Sequence, residues 1–314
     1  MNQSNFKKIL VIKHGSLGDI AFSLEPIMAI NKTFNESVID LVTESKFLSL
    51  FRKMNIFNEF LVDNRGSFFA TPLIIFKIIS GKYDLIIDLQ NSKRTNLYHF
   101  FIRFFSKARI NGSRSNAHDQ YNIPMQGEES PTQGLFNQLK LLNIYKEEFD
   151  FTWLEEDVTS LGLENKKVVL VIPGVSKSGQ YKQWPSENYI ELCLNLELQG
   201  YGICLVGTKH DQESTKPILS FCKNVINLIN KSPPEVIYSV AKKSKLIISN
   251  DTGPGHIAAL SNVNTLWLAL DNKITKSNLS YRKNSYMILK DGMSNLNVQE
   301  VKDFIFTKGL LDKI

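Results

Sequence analysis

The strongest constraint on this chain is a repeated alternation. Short runs rich in β-branched residues recur, separated by longer segments whose apolar residues follow helical spacing. Residues 9–12 (ILVI), 38–42 (VIDLV) and 85–89 (LIIDL) read as buried strands, with amphipathic segments at 22–32 and 72–79 between them. The pattern weakens from about residue 111 to 163, although 131–145 still reads as helical, and then it restarts. Strands are expected at 168–172, 203–206, 225–228, 246–248 and 265–270. Helices are expected at 185–198, 233–243, from 256–260 onward, and at 298–311. A strand covered on both faces needs a continuous apolar run, and strand–helix alternation builds a parallel sheet with helices on both sides. The expected fold class is therefore α/β, with two doubly wound halves.

A length of 314 residues agrees with two domains. The stretch 111–163 holds Gly112, Gly127, Pro131, Gly134 and an acidic run at 147–157, and the natural linker lies near its end, at about 155–166, giving domains 1–160 and 161–314. The closing helix is left open to fold back onto the first domain. With 43% hydrophobic and 22% charged residues the chain can build two cores without a staple. Cys193, Cys204 and Cys222 are odd in number, fit no metal or redox spacing, and read as reduced core residues. No segment reaches the ~18 uninterrupted apolar residues of a membrane span, and the apolar run at 9–12 is too short for a signal peptide. The expected compartment is the cytoplasm. The net charge of +6 is concentrated: residues 77–114 hold eight basic and two acidic side chains. Such a patch suits phosphate groups or peripheral contact with an anionic membrane, as well as a plain solvated surface. Nothing in the pattern suggests nucleic acid.

In open α/β sheets ligands bind at the carboxyl ends of the strands, so the loops there are where chemistry should sit. Four stand out. Lys13-His14-Gly15-Ser16-Leu17-Gly18-Asp19 follows the first strand, and Asp19 falls in the first turn of a helix, where it reads as a cap or as a general base. Pro173-Gly174-Val175-Ser176 is followed by Lys182-Gln183-Trp184-Pro185; Ser176 and Lys182 could hold phosphate oxygens, or Lys182 could be merely solvated. Asp211, after the strand at 203–206, could accept hydrogen bonds from a ribose. Asp251-Thr252-Gly253-Pro254-Gly255-His256 ends a buried strand and opens a small-residue helix, a setting that suits a diphosphate, with His256 either a phosphate donor or a structural histidine. No metal-binding motif, P-loop or dinucleotide fingerprint occurs.

Taken together, the elements GSLGD (15–19), IIDLQ (86–90), PG-x-S (173–176), K-x-WP (182–185), the acidic residue after the strand at 203–206, and NDTGPGHIAA (250–259) resemble glycosyltransferase family 9, the bacterial lipopolysaccharide heptosyltransferases and their relatives. The resemblance runs from residue 9 to about 270. It implies a GT-B fold, two Rossmann-like domains facing a central cleft, with acceptor on the first and nucleotide sugar on the second. It implies inverting transfer without a metal or other cofactor, from a nucleotide-sugar donor, ADP-heptose by family habit, to a lipopolysaccharide-core or other surface-glycan acceptor. Asp19 matches the family's base, Lys182 a lysine on the donor phosphates, and Asp211 the acidic ribose contact. Asp251, Thr252, Gly253 and His256 match the donor turn. Lys93, Arg94 and Arg114 are candidates for an anionic acceptor. The sequence departs from the family pattern in three places: GPGH stands where GPMH is usual, residues 268–273 (LALDNK) replace a strand leading into FGPT, and Asp211 stands for a glutamate. These departures leave a nucleotide-sugar epimerase of the same fold, or a non-catalytic binding relative, as alternatives.

Overall fold

A computed structural model describes residues 6–66, 70–164 and 166–311. The chain divides into two compact units, one holding the described residues of 1–125 and 131–153, the other those of 126–130 and 154–314.

The first unit runs β1 (Lys8–Ile12), α1 (Leu17–Thr33), β2 (Val38–Thr43), α2 (Leu48–Lys53), β3 (Phe60–Val62), α3 (Ala70–Ser80), β4 (Leu85–Asp88), α4 (Lys93–Phe105), β5 (Arg109–Gly112), β6 (Asp119–Gln120) and α5 (Pro131–Leu139). Its strands form one parallel sheet in the order β3-β2-β1-β4-β5-β6. Alternate strand residues Leu10, Ile12, Ile86 and Ile110 meet Ile74 and Ile78 of α3 and Tyr98 and Ile102 of α4 on one face of the sheet. Capping boxes start α1 at Ser16 and α4 at Ser92, so the two chains leaving β1 and β4 turn into helix at once.

The second unit runs β7 (Val168–Ile172), α6 (Ser186–Leu198), β8 (Gly202–Leu205), α7 (Gln212–Phe221), β9 (Val225–Asn227), α8 (Pro234–Lys243), β10 (Leu246–Asn250), α9 (Gly253–Ala259), β11 (Thr265–Leu270), α10 (Lys273–Leu279), β12 (Ser285–Lys290) and α11 (Val298–Thr307). Its sheet is again parallel, β12-β11-β10-β7-β8-β9. The closing helix α11 buries Val298, Val301 and Ile305 in the core of this second unit, together with Trp184, Leu192 and Leu196. Its apolar face is therefore taken up within its own unit.

Both sheets repeat the same order, three strands laid down in one direction and three in the other. The direction reverses between β1 and β4 in the first unit and between β7 and β10 in the second. At such a reversal the loops leave to opposite faces of the sheet and open a crevice at the strand ends. The loops after β1 and β7, and the turns after β4 and β10, are thereby the positions where a ligand can be held.

Several elements escape sequence reading. β3, β5 and β6 have four residues or fewer, β12 is half-buried along its whole length, and α7 carries an internal Pro217. The helix expected at 131–145 stops at Leu139 and tightens into a 3-10 turn, Lys140–Leu142, ended by Asn143 in the left-handed conformation. Cys193, Cys204 and Cys222 are all free thiols and buried. No helix among the described residues is long and apolar enough to cross a membrane.

Candidate functional site

In the second unit, β10 ends in a fully buried Asn250 that fastens three loops together. Its amide donates to the Pro173 carbonyl at 2.9 Å, and its Oδ1 accepts the Trp184 backbone N–H at 3.2 Å. Gln183 donates to the same carbonyl at 3.1 Å. Trp184 is wholly buried, stacks edge-on against Tyr189, and donates its indole N–H to the Leu296 carbonyl at 2.8 Å. The W-P pair is thus an anchor, and the residue it positions is Lys182. Lys182 Nζ lies 2.9 Å from Asp251 Oδ2, and His256 Nε2 lies 3.2 Å from the other carboxylate oxygen. Burial alone would raise the Asp251 pKa; the hydrogen bonds and charge interactions with His256 and Lys182 outweigh it and hold the carboxyl down at about 2. Asp251 is therefore ionised at any working pH. Lysine, aspartate and histidine form one network at the mouth of the β7–β10 crevice.

Thr252 occupies the N-cap of α9 and makes no capping bond with its side chain. Ser176 stands exposed at the start of a 3-10 turn, Lys177–Lys182, with Ser178 Oγ 3.3 Å from its hydroxyl. Asp211 caps the turn Lys209–Asp211 through the N–H and hydroxyl of Thr208 at 2.7 and 2.8 Å. Its carboxylate lies against the loop after β7, for a Cβ built on Gly174 would fall 2.4 Å from Asp211 Oδ1. The second unit therefore gathers Ser176, Lys182, Asp211, Asp251, Thr252, Gly253 and His256 on the loops at the carboxyl edge of its sheet.

Glycine stands at 255 where the family usually has methionine, so the turn lacks a side chain at that point. The tertiary structure supplies that group from elsewhere. A Cβ on Gly255 would stand 2.4 Å from Ser249 Oγ and 2.7 Å from Cζ3 of Trp267, whose ring also lies 5.0 Å from the His256 ring. The indole of β11 fills the space beside the turn, so glycine is required there by close approach. In the segment that departs from FGPT, Asn272 caps α10 by accepting the Thr275 N–H at 2.9 Å, and Asp271 pairs with Lys276.

The first unit presents Asp19 on an exposed turn of α1. Its Oδ2 accepts the Ser16 N–H at 2.7 Å and the Ser16 hydroxyl at 2.8 Å, so the cap reading is realised. Gly15 has φ +118°, and a Cβ there would collide with Asp19 Oδ2 at 2.6 Å; only glycine lets this turn close. The turn is held from two neighbouring strands: Gln90 accepts the His14 N–H at 3.1 Å and Glu44 accepts the Gly15 N–H at 3.1 Å. Lys13 is buried, donates to the Leu89 carbonyl at 3.0 Å, and has its pKa lowered by that burial against the pull of Asp19 and Asp88. His14 is buried too, and desolvation takes its pKa down to about 4 despite Asp63 at 3.7 Å, so that approach joins a neutral imidazole to a carboxylate.

The three basic candidates behave differently from one another. Lys93 is exposed. Arg94 is committed to the buried Asp63, with Nη2 2.9 Å from Oδ1, and Tyr98 donates to the same carboxylate. Arg114 donates to the Asn91 carbonyl at 2.6 Å. Arg109, also in the basic stretch, pairs with Asp119 at 2.5 Å. Much of the local positive charge therefore builds the fold.

The model of glycosyltransferase family 9 (heptosyltransferase) matches residues 74–270, well over half the chain. The chain belongs to this family. This family 9 glycosyltransferase is 25% identical over 280 residues to lipooligosaccharide heptosyltransferase 2 of Haemophilus ducreyi, covering 81% of this chain and 80% of that protein. Among solved structures it superposes on an Escherichia coli heptosyltransferase with ADP-2-deoxy-2-fluoro heptose at a TM-score of 0.76 and 18% identity, covering 96% and 99% of the two chains. Its fold is GT-B. A UDP-N-acetylglucosamine 2-epimerase-like protein from Listeria monocytogenes shares the fold at a TM-score of 0.62 and 13% identity, over 98% of this chain and 90% of that one. Three residues of the glycosyltransferase's second-unit site, Gln183, Trp184 and Asn250, are not singled out by residue type. Their place inside the K-x-WP and NDTG motifs is the signal that marks them. Lys13 and His14, beside Asp19, carry no such mark.

Proposed function

We propose that this chain transfers a heptose from a nucleoside-diphosphate donor, ADP-heptose, to the core of a lipopolysaccharide or a related surface glycan. The observation that carries the reading is the Lys182–Asp251–His256 network at the β7–β10 crevice in a family 9 chain. A leaving nucleoside diphosphate gains negative charge as the anomeric bond breaks. A lysine and an imidazole already aimed by a permanently ionised aspartate cost no reorganisation when that charge appears. Ser176 and Thr252 add hydroxyl donors, and Asp211 beside the loop after β7 suits ribose hydroxyls. The relatives named above as heptosyltransferases support the sugar.

In this reading Asp19 accepts the proton of the acceptor hydroxyl as that oxygen attacks the anomeric carbon from the face opposite the diphosphate. The configuration inverts, the glycosidic bond forms, and the diphosphate leaves with the electron pair. Asp19 must then exchange its bonds to Ser16 for the acceptor. Transfer proceeds without a metal, the positive charge coming from Lys182. Lys93 takes the anionic acceptor, with Arg94 and Arg114 behind it.

The test is transfer or donor turnover with a panel of ADP-, GDP- and UDP-linked sugars, with and without chelator. Preference for ADP-heptose, unaffected by chelator and lost in Lys182→Ala, is the expected result. Conversion of the donor to an epimer without acceptor would replace this reading by epimerisation, and failure of any nucleotide diphosphate to bind would leave only a non-catalytic relative.

A further inference from the structure

Helix α4 is apolar on two faces. Tyr98 and Ile102 face the core, as an amphipathic helix requires. Leu97, Phe100 and Phe104 line the opposite side and face outward, Phe104 70% exposed, and Phe105, the last residue of the helix, is 69% exposed as well. Helix α3 packs beside α4 on the same face of the sheet and adds Leu73 and Phe76, the latter 66% exposed. Phe100 meets Phe101 and Phe104 edge-on at 5.3 and 5.1 Å, so these three rings form one continuous surface. Single exposed apolar side chains need no explanation, whereas a contiguous patch of this kind marks a binding surface.

The charge around the patch selects the partner. Lys77, Lys93 and Lys107 are exposed along its border, and neither helix contains an Asp or Glu. Aromatic rings among lysines are the pattern of a surface that enters the headgroup region of an anionic bilayer. Lysine is depleted at protein interfaces, which argues against a protein partner. A two-fold pairing of this face with a second copy would set like charges against one another. A cleft of about 280 Å³ opens at the edge of the patch, lined by Val62, Asp63, Arg65, Leu73 and Lys77, and of its two cations Arg65 is paired with Glu44 while Lys77 is exposed.

We propose that the outward face of α3 and α4 is a membrane-docking surface that inserts Phe76, Phe104 and Phe105 into a bilayer rich in anionic phospholipid. This specifies, and partly revises, what the basic stretch 77–114 suggested. Arg94 and Arg109 are paired with Asp63 and Asp119, the exposed Arg114 donates to the Asn91 carbonyl, and the contact is carried by phenylalanines with a border of lysines. The inference stands apart from the donor chemistry, since none of these residues belongs to the second unit.

The test is co-sedimentation of the full chain with vesicles of phosphatidylglycerol and phosphatidylethanolamine, against vesicles of phosphatidylcholine alone. Binding to the anionic vesicles is expected, weakening as salt rises. Phe104→Ser with Phe105→Ser should lower the partition coefficient by ~10-fold or more. Lys77→Glu with Lys107→Glu should lower it by ~5-fold or more per lysine on anionic vesicles. Thermal unfolding and nucleotide binding measured on the same variants should be unchanged, which separates loss of docking from loss of fold and from failure of the proposed activity. No binding to anionic vesicles, or binding indifferent to the phenylalanines, overturns the proposal. A concentration-dependent dimer abolished by the same phenylalanine changes would assign the face to self-association and overturn it equally.

Discussion

Gly255→Met puts back the residue that family resemblance would expect, and it sets two lines of reasoning against each other. Helix propensity and family usage both favour methionine, because glycine inside a helix costs about 1 kcal/mol relative to good helix formers. The tertiary structure predicts the opposite sign. Even the first atom of a side chain would stand 2.4 Å from Ser249 Oγ and 2.7 Å from the Trp267 ring. Neither neighbour yields easily: the Ser249 hydroxyl is tied to the Asn250 carbonyl at 2.8 Å, and the Trp267 indole donates to Ser285 at 2.9 Å. Overpacking of a buried site costs roughly 1–3 kcal/mol, so Gly255→Met should destabilise by about that much. For a unit of this size that is a fall in Tm of about 2–4 °C per kcal/mol. Trp267→Leu alone opens a cavity and should cost about 3 kcal/mol. The double variant restores volume on one side of the gap while removing it on the other. It should be more stable than the sum of the single effects by at least ~1 kcal/mol, the range in which contacting residues couple. Thermal unfolding of the four proteins, with nucleotide binding as a second readout, closes the cycle. Additive costs, or a Gly255→Met protein as stable as the parent, would refute the claim that Trp267 occupies the place of the missing side chain.

Four further outcomes follow from the geometry. Lys182→Ala leaves Asp251 with His256 alone and should lower turnover by ~10²–10³, measured as transfer rate at saturating donor. Asp19→Asn should lower transfer by ~10²–10⁴ if the carboxylate is the base. Loss of its cap by itself would cost about 1 kcal/mol and leave kcat nearly intact, so kcat and Tm measured together separate the two roles. The Asp251 pKa is depressed in the folded state, so its contribution is fully present above the unfolded value near 4 and is lost as pH falls through about 2. Asp251→Asn should flatten the acid limb of second-unit stability by roughly 2 kcal/mol over that window. His14 also has a depressed pKa, about 4, and is neutral when folded. Stability present above about 6.5 should therefore decline as pH falls toward 4, where the unfolded chain takes up a proton that the folded chain refuses, and His14→Asn should remove that slope in denaturant titrations at stepped pH.

Local pattern and backbone chemistry are what one sequence can determine alone, and here they went a long way. Apolar runs broken by turn residues announced β1, β2, β4, β7, β8, β10 and β11, because a strand buried on both faces is apolar at most of its positions. Ser16-Leu17-Gly18-Asp19 announced its own cap, because a capping box is closed within four residues. The motifs around Lys182, Asp211 and Asp251 pointed to a candidate site, because each follows a strand. What the sequence could not supply was anything that depends on which residues meet across long separations. That Asp251 holds both Lys182, 69 positions away, and His256 follows only from the β7–β10 reversal. That Gly255 is filled by Trp267, that Arg94 answers Asp63, and that α4 turns phenylalanines outward are equally facts of packing. A net charge counted along the chain could not tell a lysine facing water from an arginine bound to a buried carboxylate. Charge and apolarity are properties of residues, but their availability is decided by the neighbours that folding brings.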